Sequence, residues 1–199
     1  VTLTGSTGIH PYGGKLFKDK GPAGRAVFNG FGKFSGVTQI TELGEIETPI
    51  VLTNTLAVGR GVEAIIRHTL AQPGNEKVVS VNAVVGETND SRLNEIRAAR
   101  PSVDEVLLAI DTATSGPVEE GAVGAGTGTV AFGLKGGIGT SSRLVPVGAE
   151  AYRLGVLVQS NYGGRLIVAG RDYAALAEHD MGGSIVIVLA AEGPPCPTH

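Results

Sequence analysis

The sequence predicts a layered α+β domain, and three observations carry that expectation. Apolar strands outnumber helices along the chain. The helices are long and amphipathic, so each needs a sheet to cover its apolar stripe. The run Ile185-Val186-Ile187-Val188-Leu189-Ala190-Ala191 is apolar on both alternating faces, β-branched and too short for an ordinary helix, which is the pattern of a strand buried between two layers. The length, 199 residues, suits one domain, 1–199, with a sizeable single core.

In chain order, residues 1–24 are turn-rich, with glycine or proline at Gly5, Gly8, Pro11, Gly13, Gly14, Gly21, Pro22 and Gly24. Lys15, Lys18 and Lys20 fit a solvated loop. Val27-Phe28-Asn29-Gly30 opens a hairpin-like region with Gly30, Gly32 and Gly36 at turns. Val37 to Ile40 and Pro49 to Thr53 are expected strands, separated by an acidic turn with Glu42, Glu45 and Glu47. Leu56, Val62, Ile65, Ile66 and Leu70 give one face of a helix that Pro73-Gly74 stops. Val78 to Val85 is a further apolar strand, ending in a loop Gly86-Glu87-Thr88-Asn89-Asp90. Leu93 and Ile96 suggest a short helix before Pro101. Ser102 and Glu105 have capping-box spacing, and Val103, Val106, Leu107 and Ile110 recur at helical spacing. The remainder is glycine-punctuated β structure: Val130 to Leu134, Tyr152 to Gln159, Leu166 to Ala169, and the strand from Ser184.

Composition excludes several function classes. A net charge of −3 gives no electrostatic reason to expect nucleic acid or an anionic membrane, and no apolar run reaches the roughly 20 residues needed to cross a bilayer. One cysteine, Cys196, leaves no intrachain disulfide and fits a reducing, cytoplasmic location. There is no Gly-x-Ser-x-Gly elbow, no His-Glu-x-x-His and no Cys-x-x-Cys, and the glycine-rich stretch from Gly121 to Gly128 lacks the pattern of a dinucleotide or phosphate loop. His10, His68, His179 and His199 show no metal-ligand spacing. No metal or organic cofactor is implied.

Chemistry concentrates in three places. Met181-Gly182-Gly183-Ser184 puts a serine at the rim of a core strand, behind a glycine pair that leaves the Gly183 carbonyl open to attack by the Ser184 hydroxyl. If that bond broke, Ser184 would carry a free α-amine with a pKa of roughly 7.7–8.0, suited to act as general base. Read alone, the same residues are a glycine turn leading into a strand. Glu87, Asn89 and Asp90 lie where a carboxylate could bind a substrate ammonium; otherwise they are a solvated acidic turn. Asn161, in Gln159-Ser160-Asn161-Tyr162-Gly163-Gly164-Arg165, has an amide able to donate to a developing oxyanion, or is a turn residue before Gly163.

Taken together these stretches resemble the L-aminopeptidase/D-esterase (DmpA-like) and β-peptidyl aminopeptidase family of self-processing serine hydrolases, from Val27 to about Ala191. The resemblance rests on Glu47 to Thr55, Val84 to Asp90, Gly121 to Gly128, Lys135 to Arg143, Val156 to Gly163 and the Gly183-Ser184 strand. It implies a four-layer αββα sandwich shared with ornithine acetyltransferases, and a precursor that cuts itself between Gly183 and Ser184. Residues 1–183 would then belong to the larger subunit and 184–199 would begin the smaller. It further implies Ser184 as the N-terminal nucleophile, Asn161 as the oxyanion donor and Glu87 as the group holding the substrate amine. Asn89 stands where some relatives carry a tyrosine, so a phenol-dependent step is not implied. The substrate would be a small peptide, amide or ester with a free amino group, and the assembly a homo-oligomer of processed subunits.

Family members continue well past the nucleophile, so the chain is expected to be incomplete at both ends. Three functions follow as alternatives: a self-processing aminopeptidase or amidase, an acetyltransferase of the same fold, or an inactive structural or interaction fragment. The serine nucleophile and Glu87 favour hydrolysis, because a carboxylate suits a substrate ammonium.

Overall fold

The computed structural model describes residues 1–173 and 182–192. A three-stranded sheet stands at the centre. Its strands are β1 (Thr7–Ile9), β2 (Ile50–Asn54) and β3 (Val84–Thr88), in the order β1-β2-β3. β1 runs antiparallel to β2, and β2 runs parallel to β3. The parallel pair requires a crossover. That crossover contains α2 (Val58–Ala71), preceded in the chain by α1 (Val37–Leu43) and followed by α3 (Val103–Asp111).

Alternation along β2 and β3 sends side chains to two different cores. Val51 and Val85 meet Ala64 and Ile65 of α2 and Val106 and Ile110 of α3. Leu52 points the other way, into a cluster with Ala125, Ile138, Leu157, Val186 and Val188. The latter side chains belong to a second sheet of β4 (Gly137–Val147), β5 (Glu150–Tyr162) and β6 (Gly183–Ala191), antiparallel throughout in the order β6-β5-β4. The described residues therefore form three layers, helices on sheet on sheet. No helix among them is long and apolar enough to cross a membrane.

Two glycines set how closely the layers approach. A Cβ on Gly61 of α2 would stand 3.1 Å from Val85, and one on Gly86 of β3 would stand 3.1 Å from Val186 and 3.2 Å from Leu52. Both distances are tight for any side chain, so neither neighbouring layer could sit as close over an alanine.

Several local expectations are corrected. Val37 to Ile40 is helical, because Gly36 and Gly44 bracket it in left-handed conformations and Ile40 docks on Ile46 and Val84. The region after Val27 forms no hairpin; Phe28 and Phe31 project to solvent, and Ser35 makes a lone bridge to Val85. The strand expected from Val78 begins only at Val84. Upstream of it, Glu47 accepts from the Asn82 N–H, and the Val84 N–H donates to the Thr48 hydroxyl, in place of a ladder. It also runs further than expected, so Gly86, Glu87 and Thr88 are strand and not loop. Within the turn-rich start lies β1. The α2 face that packs carries Gly61, Ala64, Ile65 and Thr69, with Val62 and Ile66 also packed against that core as expected, while Leu56, in the 3-10 turn before the helix, and Leu70 are exposed; small residues there allow the close approach to the sheet. Val130 to Leu134 splits into two-residue strands around Phe132 and Gly133, both at positive φ, and Ile167–Val168 folds back on Arg171–Asp172 in the same manner through Ala169 and Gly170.

The last strand is also corrected. β6 is covered on one face: Ser184, Val186 and Val188 face the first sheet, while Ile185, Ile187 and Leu189 are 48%, 54% and 66% exposed. Among the described residues nothing lies over that second face.

The capping box at α3 is present in full. Ser102 Oγ accepts from Glu105 N, and Glu105 Oε2 accepts from Ser102 N at 2.6 Å. Ser102→Ala is expected to lower stability by about 1 kcal/mol, the usual worth of such a cap, read from urea unfolding; an unchanged midpoint would show that α3 is held by packing alone.

Candidate active site

Antiparallel pairing places Ser184 of β6 directly opposite Asn161 of β5, and both point toward the first sheet. There they meet the end of β3. Ser184 Oγ accepts two hydrogen bonds, from the Asn89 N–H and from Asn161 Nδ2, each at 3.1 Å. Asn161 Nδ2 also donates to the Asn89 carbonyl at 2.7 Å, and Asn161 Oδ1 accepts from the Val130 N–H at 3.0 Å. Those neighbours settle which way the carboxamide faces: a carbonyl can meet only its NH₂ end, and an N–H only its oxygen.

With both its lone pairs engaged by donors, the Ser184 oxygen sits where negative charge is favoured. A tetrahedral centre formed by attack of that oxygen would carry its own oxyanion two bonds from Oγ, in the neighbourhood of the same two donors.

Asn89 takes part through its backbone. Its side-chain oxygen accepts from the Ser91 N–H at 3.1 Å, a local turn. Glu87 is not joined to this cluster. It lies on the β3 face that carries Val85, is only 7% exposed, and accepts from the Lys33 N–H at 3.0 Å and from the Thr55 hydroxyl. Thus Ser184, Asn161 and the Asn89 backbone come together, while the Glu87 carboxylate stands at the same strand end on the opposite face.

Asp90 is buried beyond Asn89. Burial raises its carboxyl above the ordinary carboxylate range, against hydrogen bonds from Thr4 and Asn94. Its role there is to tie the start of the chain to the loop. His10 Nε2 lies 3.0 Å from the Ile110 carbonyl and His68 Nδ1 lies 2.9 Å from Asp111 Oδ1, so both bind at α3 and away from Ser184. His179, His199, Cys196 and Met181 lie outside the described residues. Among the described residues no group of His, Cys, Asp or Glu is arranged to hold a metal ion.

Gly183 has a further reason for being glycine, beside the one expected. It pairs with Tyr162, and a Cβ there would fall 2.6 Å from Tyr162 Cβ. The Tyr162 ring in turn packs edge-on against Phe132 at 4.9 Å.

Sequence patterns did not single out Gln159. Fully buried between the sheets two residues before Asn161, it donates from Nε2 to the Thr88 hydroxyl at 2.7 Å, the Ala125 carbonyl at 3.0 Å and the Thr53 carbonyl at 3.3 Å. A polar residue in an otherwise apolar inner face, at the same alternation as Asn161, was the available signal.

The geometry agrees with what the chain is similar to. The model of peptidase family S58 matches residues 2–198. The chain belongs to that family. It is 45% identical over 170 residues to the β-peptidyl aminopeptidase BapA of Sphingosinicella xenopeptidilytica, covering 84% of this chain and 42% of that protein. Among solved structures, the PH0078 protein from Pyrococcus horikoshii OT3 superposes with a TM-score of 0.89 at 44% identity, over 97% of this chain and 56% of that one. The L-aminopeptidase D-Ala-esterase/amidase from Ochrobactrum anthropi, described as a prototype for the serine aminopeptidases and a variant of the Ntn hydrolase fold, matches with a TM-score of 0.80 at 34% identity, over 86% and 50%. The chain spans about half the length of the curated family relatives it matches.

Gln159→Leu is expected to destabilise the protein by about 1–3 kcal/mol, since it leaves the buried acceptors that share its two N–H groups without their donor. Urea unfolding at constant m-value reads this. A neutral outcome would mean that the two sheets do not depend on Gln159.

Proposed function

We propose that the whole protein is a self-processing serine aminopeptidase or amidase, and that Ser184 becomes its N-terminal nucleophile. The observation carrying this is the pair of donors on Ser184 Oγ, from Asn89 N and Asn161 Nδ2, at a serine preceded by glycine in an S58-family chain. In self-cleavage the Ser184 hydroxyl attacks the Gly183 carbonyl carbon. The oxyanion is held by Asn161 and the Asn89 N–H, and the C–N bond breaks as the nitrogen takes up the proton. Water then hydrolyses the resulting ester, leaving a Gly183 carboxylate and a Ser184 bearing hydroxyl and free α-amine. That amine takes the hydroxyl proton when Ser184 attacks a substrate carbonyl, and delivers it to the departing amine.

In this account Glu87, at the end of β3 on the face opposite the Ser184 cluster, holds the substrate ammonium, a role that rests on the family resemblance. Two donors occupy its carboxylate, and a carboxylate offers about four acceptor positions. The substrate class is a small peptide, amide or ester with a free amino end. Asn89 contributes its backbone to the nucleophile and no phenol-dependent step is invoked. A second helical layer over Ile185, Ile187 and Leu189 completes an αββα sandwich in the whole protein; support comes from the exposed apolar face. A homo-oligomer of processed subunits rests on the family resemblance, and a cytoplasmic location on the single cysteine.

Ser184→Ala in the full-length protein is expected to leave one uncut, inactive chain by intact mass; normal cleavage in that variant places the nucleophile elsewhere. Glu87→Gln keeps size and removes charge, so it is expected to weaken substrates with a free ammonium by roughly 1.5–3 kcal/mol in kcat/KM. Equal turnover of free and N-acylated substrates by the wild type would remove this role from Glu87.

A further inference from the structure

Asn161 is useful at Ser184 only if its NH₂ end faces the serine, and two backbone groups impose that orientation: the Asn89 carbonyl on Nδ2 and the Val130 N–H on Oδ1, the latter being the one that holds its oxygen end. That N–H belongs to the same planar peptide unit as the Thr129 carbonyl. In a trans unit the two point in opposite directions, so whatever holds the carbonyl aims the N–H. Two donors hold it: the Gly136 N–H at 2.9 Å and the Lys135 ammonium at 3.0 Å.

Lys135 is bound in an unusual manner for a lysine. Its Nζ donates to three backbone carbonyls, of Gly126 at 2.7 Å, Gly136 at 2.8 Å and Thr129 at 3.0 Å, which satisfies all three ammonium protons. These carbonyls come from the 3-10 turn after Val123 and from the segment entering β4. The ammonium thus joins the glycine-rich turn to the strand, with Thr129 between them. Burial lowers the Lys135 pKa from its ordinary value and so works against the ammonium, whose charge the three carbonyl acceptors favour.

We propose that Lys135 is a positioning residue for the oxyanion donor: it fixes the Thr129–Val130 peptide plane, and through it the direction in which the Asn161 carboxamide faces Ser184. A cation on the carbonyl also polarises the peptide unit and strengthens the N–H as a donor. This proposal rests on the assignment of Asn161 as oxyanion donor, and the test separates the two.

The experiment is a double-mutant cycle in the processed full-length enzyme, counting only molecules with a free Ser184 amine. Lys135→Met removes the cation while keeping length. It is expected to lower kcat by about tenfold or more with KM within about twofold, short of the about 10²–10³ that loss of an oxyanion donor costs. In an Asn161→Ala background the same substitution is expected to do nothing further, because its effect passes through the carboxamide. Losses that add independently, or an unchanged kcat in Lys135→Met, overturn the proposal while leaving Asn161 in place. An unchanged kcat in Asn161→Ala alone overturns both. Lys135→Ala, which also removes the donors to the carbonyls, stands in if the methionine variant does not fold, and the same criteria apply. If neither variant folds, Lys135 holds the fold itself and the positioning role is contradicted.

Discussion

The arrangement depends on two hydrogen bonds converging on one serine oxygen. Ser184 Oγ is met by a backbone N–H from the end of β3 and a side-chain amide from β5, so three strands from two sheets must agree on its position. Each strand contributes one component and none makes the site alone. The serine stands on β6, the amide directly across the ladder, and the third group arrives from the sheet beneath.

That convergence constrains the rest of the fold. A slip of one residue in the β5–β6 pairing would turn Ser184 to the face that carries Ile185 and Ile187. Register is held by the inner-face partners that follow, with Val186 against Gly86 and Leu157 and Val188 around Leu52. Gln159 adds a polar tie on the same inner face, reaching β2, β3 and the glycine-rich turn. The close approach at Gly86 brings β6 down far enough for Asn89 to reach the serine. Stability and chemistry here share residues, because the side chains packing the sheets together also set the distances at Ser184.

Much of this was legible in the sequence and some was not, for identifiable reasons. The capping box at Ser102, the apolar periodicity of α3 and the chemistry available to Ser184 and Asn161 are local properties of residue type and spacing. The expectations of αββα layering, of cleavage between Gly183 and Ser184 and of an ammonium-binding Glu87 come from likeness to a family and not from residue pattern. Val37 to Ile40 was misjudged because the β preference of valine, threonine and isoleucine yielded to two left-handed glycines and the docking of Ile40. The backbone of Asn89, the N–H of Val130 and the grip of Lys135 carry no sequence signature, since any residue supplies a peptide group and only pairing between distant strands brings it to the site. Gly183 shows the same limit: one reason for its being glycine is Tyr162, a cross-strand neighbour that local sequence does not reveal.

The most direct test of the account is to label the nucleophile in the full-length wild-type protein with a serine-directed sulfonyl fluoride and map the modified peptide by mass. The account predicts one stoichiometric label, carried by a fragment whose first residue is Ser184 and lost together with activity. A label on another residue, or on an uncut chain that retains full activity, would contradict it.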